Sequence, residues 1–173
     1  MIRQILDDLF SEKINSVLDA GCGSNPVSLA IDCKVRLGID VDDHGLSNAS
    51  TKMAAVRGNM VYMDSLFRPK QFDLVVFSDT LEHMTLVDAI QAFEAAKIIG
   101  LMVFMFVPEN HAGFPHDQGP HRHLHLWSRD ALAEFVGRPV RVLEDYHGSG
   151  QHAMICLWAD DEAFNEAFRS YKL

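Results

Sequence analysis

Two stretches of the chain, Phe72-Asp-Leu-Val-Val-Phe77 and Leu101 to Val107, are apolar almost without alternation, and this constrains the fold more than any other feature. A strand with one wet face alternates apolar and polar residues; continuous runs of this length fit strands covered on both faces, as in a parallel sheet. Between them, Thr85 to Lys97 reads as a helix. Thr85 with Asp88 three residues on makes a capping box, and Leu86, Ile90 and Phe93 line one face. Gly100 stops it. Strand, helix, strand at this spacing is the unit of a parallel sheet joined by right-handed crossovers.

The alternation extends both ways along the chain. Ile2, Ile5, Leu6, Leu9 and Phe10 recur at helical spacing and predict an opening amphipathic helix. Val17 and Leu18 lead into Asp-Ala-Gly-Cys-Gly, a buried strand broken by a glycine turn; Val35 to Asp40 is the next strand, and Ala54 to Arg57 a third, weaker one. Pro26 to Asp32 leaves room for about two turns of helix. Further on, Ser128 caps a helix through Val136 that ends at Gly137. Val140 to Tyr146 and Ala153 to Trp158 form a closing antiparallel pair, and Asp160 begins a last helix carrying Phe164 and Phe168.

Composition narrows the function classes. A chain of 173 residues with 48% hydrophobic and 23% charged side chains suits one globular domain, residues 1–173, and is far from the signature of disorder. Fifteen Lys and Arg against 24 Asp and Glu give a net charge of −9, which repels a phosphate backbone; nucleic acid is not the expected partner. Three cysteines without a C-x-x-C indicate neither a disulfide framework nor a cysteine zinc site, and fit a reducing cytoplasm. Asp7 and Asp8 interrupt the N-terminal apolar pattern as a secretory segment would not, and Ile98 to Val107 is about half a membrane-spanning helix, so no membrane association is expected.

In an open sheet of this type the ligand lies beyond the carboxyl ends of the strands, where strand order reverses. The first exit is Asp19-Ala-Gly21-Cys22-Gly23-Ser-Asn25-Pro26. Glycine is needed there for positive φ and for close approach of a ligand to the main chain. A dinucleotide fingerprint would place glycine where this chain has Pro26, which weakens a nicotinamide reading. Asp40, ending the second strand, can accept from both hydroxyls of a ribose, so an adenosine ligand fits. Taken singly, Gly21 and Gly23 serve equally well as a tight turn, and Asp40 as a helix cap.

Together these residues carry a resemblance. Val17 to Pro26, Leu37-Gly-Ile-Asp-Val41, and Phe72 to Met84 resemble, in order, the first motif, the second motif and the strand beside the methyl donor in class I S-adenosylmethionine-dependent methyltransferases of the small type 11 and 12 kind. The resemblance implies an α/β fold: a Rossmann-like, doubly wound, mostly parallel seven-stranded sheet with an antiparallel C-terminal strand pair. It implies S-adenosylmethionine as cofactor, with Gly21, Cys22 and Gly23 bringing backbone against the methionine part, and Asp19 fixing the turn or the amino group. Asp40, followed by Val41, would hold the ribose. Asn59, followed by Met60, would accept from the adenine amino group, and Ser78 and Asp79 would lie near the donor's amino-acid end. Asn25 in place of a third glycine, and the short helix after it, depart from the family pattern.

The histidines supply the acceptor chemistry. Five of nine (His111, His116, His121, His123, His125) fall in the one long irregular stretch, and the last three alternate, so in an extended segment they share a face. Asp79, Glu82 and His83 stand at i, i+3 and i+4. This resembles the carboxylate-x-x-Glu-His step of some metal-dependent O-methyltransferases, including those of small RNAs and of ubiquinone biosynthesis, and Arg122 to Trp127 resembles the histidine-rich stretch of the small-RNA enzymes. On that reading Asp79, Glu82, His83, His123 and His125 hold a divalent ion. Without metal, His83, His111 or His123 acts as general base. The expected activity is O-methylation of a small-molecule acceptor, with a homodimer as one way to close the pocket. The alternatives are an inactive cofactor-binding relative and a metal-dependent hydrolase.

Overall fold

The structure, a computed structural model, describes residues 1–109, 122–144 and 152–172. Seven strands form one sheet: β1 (Ser16–Ala20), β2 (Val35–Asp40), β3 (Ala54–Arg57), β4 (Phe72–Ser78), β5 (Gly100–Pro108), β6 (Arg141–Leu143) and β7 (Ala153–Ala159), in the order β3-β2-β1-β4-β5-β7-β6. The first five run parallel, and β7 runs antiparallel to both β5 and β6. The chain builds outward from β1 to β2 and β3, then returns to β1's other side for β4 and β5. Strand order therefore reverses between β1 and β4, and their carboxyl ends, Ala20 and Ser78, flank the crevice.

The continuous apolar runs are buried on both faces, because successive side chains of a strand point to opposite sides. On one face Val75, Phe77, Val103 and Met105 pack against α4 (Leu86–Ile99) and Trp127. On the other, Leu74, Val76, Phe104 and Phe106 meet Ile5, Leu6 and Phe10 of α1 (Ile2–Phe10) and Phe168 of α6 (Glu162–Ser170). Phe104 makes edge-on contacts with both Phe10 and Phe168, at ring separations of 5.9 and 6.3 Å.

Helix α4 starts at the expected cap, with Asp88 N–H donating to Thr85 Oγ1 at 3.2 Å and the Thr85 hydroxyl to Asp88 Oδ2 at 2.7 Å. Its buried face is a correction to the sequence reading: Leu86 and Ile90 are exposed, and Ala89, Ala92, Phe93, Ala96 and Ile99 turn inward. The alanines let the helix lie close on the sheet, which longer side chains would prevent. Helix α5 (Arg129–Val136) begins at Ser128, whose hydroxyl accepts from Ala131 N–H, and ends at Gly137 with φ +67°.

Two short helices were not expected, α2 (Asp43–Ala49) and α3 (Met63–Leu66). Asp42 caps α2 by accepting from His44 and Gly45 N–H. Where two turns of helix were expected after Pro26, there is only a 3-10 turn, Val27–Ala30. Of the strand expected over Val140 to Tyr146, Arg141–Leu143 is extended, and the part from Asp145 lies outside the described residues. No helix among the described residues is long and apolar enough to cross a membrane.

Candidate functional site

The loop after β1 is shaped by two left-handed glycines, Gly21 (φ +78°) and Gly23 (φ +50°). Gly21 N–H donates to Ile39 O at 2.8 Å, and Gly23 N–H to Asp40 Oδ2, also at 2.8 Å. The other Asp40 oxygen accepts from Asp42 N–H at 2.9 Å. One carboxylate thus ties the tips of β1 and β2 together, and with about four lone-pair sites it retains capacity for a ligand's hydroxyls. Asp19 is buried beneath the loop and accepts from Ser28 N–H at 3.0 Å; burial pushes its carboxyl above the usual range. Cys22 is buried too, and burial first, then the charges of Asp19 and Asp40, push its thiol up to about 12, leaving it inert at neutral pH.

The remaining expected donor contacts lie along the same strand ends. Val41 is exposed at the tip of β2. Asn59 Oδ1 accepts from Val61 N–H at 3.0 Å, capping the 3-10 turn Met60–Tyr62, and keeps one lone pair; Met60 is buried. Ser78 is half-buried and Asp79 exposed, the latter with φ +49°. Thr80, which no sequence motif singles out, joins the two strand exits: its hydroxyl lies 3.3 Å from Ala20 O and 3.0 Å from Ser78 O.

A second cluster forms beside the crevice. The 3-10 turn Leu81–His83 follows β4 and buries the Glu82 side chain to 1% exposure. Its Oε2 has no hydrogen-bond partner among the described residues. Burial, and after it the charge of Asp79, hold the Glu82 carboxyl well above the usual range. His83 Nε2 lies 3.9 Å from Glu82 Oε1, and the His83 and His123 rings are 5.0 Å apart. One ligand atom from each of Glu82, His83 and His123 lies within 4.8 Å of the others.

A backbone strap brings His123 there. Leu124 and His125 N–H both donate to Glu82 O, at 2.8 and 3.2 Å, and His83 Nδ1 lies 3.2 Å from Arg122 O. Along the strap exposure alternates: His123, His125 and Trp127 turn inward, while Arg122, Leu124 and Leu126 are exposed. Trp127 is fully buried, 4.5 Å from the His125 ring and 4.9 Å from Phe135 of α5. The expected five-residue ligand set is accordingly split. His125 meets Trp127 edge-on and Asp79 stands exposed, both outside the group of three, and His111 lies outside the described residues.

A crevice at the switch point of a parallel sheet, flanked by a glycine loop and the Asp40 carboxylate, is the arrangement of a Rossmann-like methyltransferase fold. The family model for a methyltransferase domain matches residues 18–98. Among solved structures, the methyltransferase domain of bacterial CtHen1 is 19% identical, with a TM-score of 0.58 over 84% of this chain and 90% of that one. An S-adenosylmethionine-dependent methyltransferase from Methanosarcina mazei is 15% identical (TM-score 0.66, over 88% of this chain and 95% of that one). Magnesium protoporphyrin IX methyltransferase from Synechocystis PCC 6803, with bound S-adenosylhomocysteine, is 14% identical (TM-score 0.63, over 92% and 83%). No curated protein matches. The matched residues span a little under half of the chain, and the solved structures share with it the class I methyltransferase fold.

Proposed function

We propose that this protein transfers the methyl group of S-adenosylmethionine to a hydroxyl of a small-molecule acceptor presented at Glu82, His83 and His123. The observation that carries the reading is the placement of this cluster on the exit of β4, next to the glycine loop on the exit of β1. The donor lies across the tips of β1 and β2, its methionine part against Gly21 to Gly23 and its ribose hydroxyls on Asp40. The net charge of −9 favours a small acceptor over a nucleic acid.

Methyl transfer is an in-line displacement in which the acceptor oxygen forms a bond to carbon, the carbon–sulfur bond breaks, and its electron pair stays on sulfur as the neutral thioether. The proton of the acceptor hydroxyl goes to an imidazole, His83 or His123. The protein aligns the two reactants, excludes water and receives the proton. Calorimetry tests the donor half. S-adenosylhomocysteine binds the wild type with micromolar affinity, about −8 kcal/mol, and Asp40→Ala weakens it about tenfold to a hundredfold. Binding that Asp40→Ala leaves unchanged overturns the assignment.

The cluster also fits a divalent ion. A fully buried carboxylate oxygen with no hydrogen-bond partner among the described residues, beside two imidazoles, is a mixed oxygen and nitrogen donor set of the kind Mg²⁺, Mn²⁺, Fe²⁺ or Zn²⁺ takes. Glu82, His83 and His123 would hold it, and a bound ion would lower the pKa of the acceptor hydroxyl.

Glu82→Gln separates this role from a structural one. The Glu82 carboxyl in the fold is held above its unfolded value, so its contribution to stability is fully present below the unfolded value and is lost as pH rises through the folded one. At pH 8 the buried charge therefore costs stability, and Glu82→Gln raises the melting temperature, by about 2–4 °C for each kcal/mol relieved. The gain disappears near pH 4. In the same variant, Mn²⁺ stabilises less than it does the wild type, and the wild-type Mn²⁺ response strengthens with rising pH as the metal competes with the Glu82 proton. Identical Mn²⁺ responses in the two proteins exclude the ligand role.

A further inference from the structure

The segment after the glycine loop has lost the helix that would satisfy its own carbonyl groups, since only the 3-10 turn Val27–Ala30 remains. Carbonyl groups outside a helix ladder take donors from water or from side chains. Here they come from cations brought in by three other elements. Lys52, in the turn after α2, donates to Ser24 O at 3.1 Å. Arg3, on α1, donates through Nη2 to Asn25 Oδ1 at 2.9 Å and to Pro26 O at 3.2 Å. Arg36, on β2, donates through Nε to Ser28 O at 2.9 Å and through Nη2 to Ile31 O. From beneath, Asp19 accepts from Ser28 N–H. A helix ladder has been replaced by a clasp of charged side chains.

Arg36 and Asp19 hold the far part of the segment, whereas Arg3 and Lys52 hold Ser24 to Pro26, directly after Gly23. Asn25 stands where the resembled motif has a third glycine, and it is the residue on which Arg3 closes. We propose that Arg3 and Lys52 are positioning residues for the methyl donor: they set the shape of the 24–26 loop against which its methionine part lies, and so link donor affinity to the docking of α1. The inference rests on the reading above that this loop receives S-adenosylmethionine.

The test is calorimetry with S-adenosylhomocysteine on the full chain, well below the melting temperature. Arg3→Ala raises Kd about tenfold and Lys52→Ala about threefold, in keeping with the loss of charge-assisted hydrogen bonds that preorganise a loop. Asn25→Ala also weakens binding, and the Arg3→Ala Asn25→Ala double variant falls short of the product of the two single effects, because both remove the same contact. Gln4→Ala, on the same helix but with its side-chain amide donating to Asp8, leaves Kd unchanged. A purely structural role for Arg3 would lower the melting temperature without moving Kd. Lys52 is exposed and lies outside α1, so its variant carries the test even if Arg3→Ala folds poorly. Wild-type affinity in both Arg3→Ala and Lys52→Ala, or single effects of Arg3 and Asn25 that multiply in full, overturns the clasp while leaving the donor reading intact. No heat from the wild type itself overturns the donor reading, and the clasp's function with it.

Discussion

Trp127→Ala lowers stability by about 3–5 kcal/mol, the range for removing a large aromatic side chain from a packed core. Trp127 is fully buried and among the largest such side chains of the fold, wedged between His125 and Phe135 of α5. Truncation to Cβ leaves a cavity that α5 and the sheet can only partly fill. Because a domain of this size has about 5–15 kcal/mol in total, the loss is a large part of the whole. Trp127→Phe makes the contrast. Its ring still fills most of the space, and it removes an indole N–H that is buried without a hydrogen-bond partner among the described residues. That variant loses about 1.5 kcal/mol or less. Urea unfolding with an unchanged m-value reads both. A loss below about 1 kcal/mol for Trp127→Ala would show that the strap is not anchored by the indole. On the proposed metal reading, Trp127→Ala also weakens the Mn²⁺ response, since the strap that delivers His123 is held at one end by Glu82 O and at the other by this side chain.

The strands were legible because their signal is local. An unbroken apolar run such as Phe72 to Phe77 can be covered on both faces in few ways, and the glycine turn after Val17-Leu-Asp-Ala marks where the first of them ends. The face of α4 was not legible, because its large apolar residues are spread over more than one face: Leu86 and Ile90 look like core, yet it is the alanines, with Phe93 and Ile99, that approach the sheet. Helix α2 was missed because Gly45, Ser47 and Asn48 are poor helix formers, and its cap at Asp42 together with contacts to β2 and β3 outweighs that propensity. The alternation of His121, His123 and His125 could be read from the sequence, and the inward turn of the latter two follows it. Which of them reaches Glu82 could not be read, since that depends on Leu124 and His125 N–H finding Glu82 O across a long separation in sequence. Likewise Asp40 could be picked out from its place at the end of the second strand, but its bond to Gly23 N–H belongs to the register of β1 on β2. The departures at Asn25 and in the shortened helix were visible in the sequence, whereas the cations that compensate for them come from three separate elements.

Gly21→Ala costs about 2–5 kcal/mol, and two separate physical terms make up the loss. The first is conformational: at φ +78° an L-residue with a Cβ is strained by roughly 1–2 kcal/mol relative to glycine. The second is steric. A Cβ at this position would stand 2.5 Å from Thr80 Cγ2, 2.6 Å from Thr80 Oγ1 and 3.1 Å from Thr80 Cβ. Thr80 cannot turn aside cheaply, because it is buried and its hydroxyl is engaged with Ala20 O and Ser78 O across the exits of β1 and β4. Overpacking of this kind adds about 1–3 kcal/mol. Gly23 isolates the first term, for its φ is also left-handed, at +50°, yet nothing lies within 4 Å of the Cβ it lacks. Gly23→Ala accordingly loses only about 1–2 kcal/mol. Thr80→Ala isolates the second: in that background Gly21→Ala falls to about the Gly23→Ala value, a coupling of about 1–3 kcal/mol. Equal losses for Gly21→Ala with and without the Thr80 side chain would mean that the two strand exits do not pack as closely as this crevice requires.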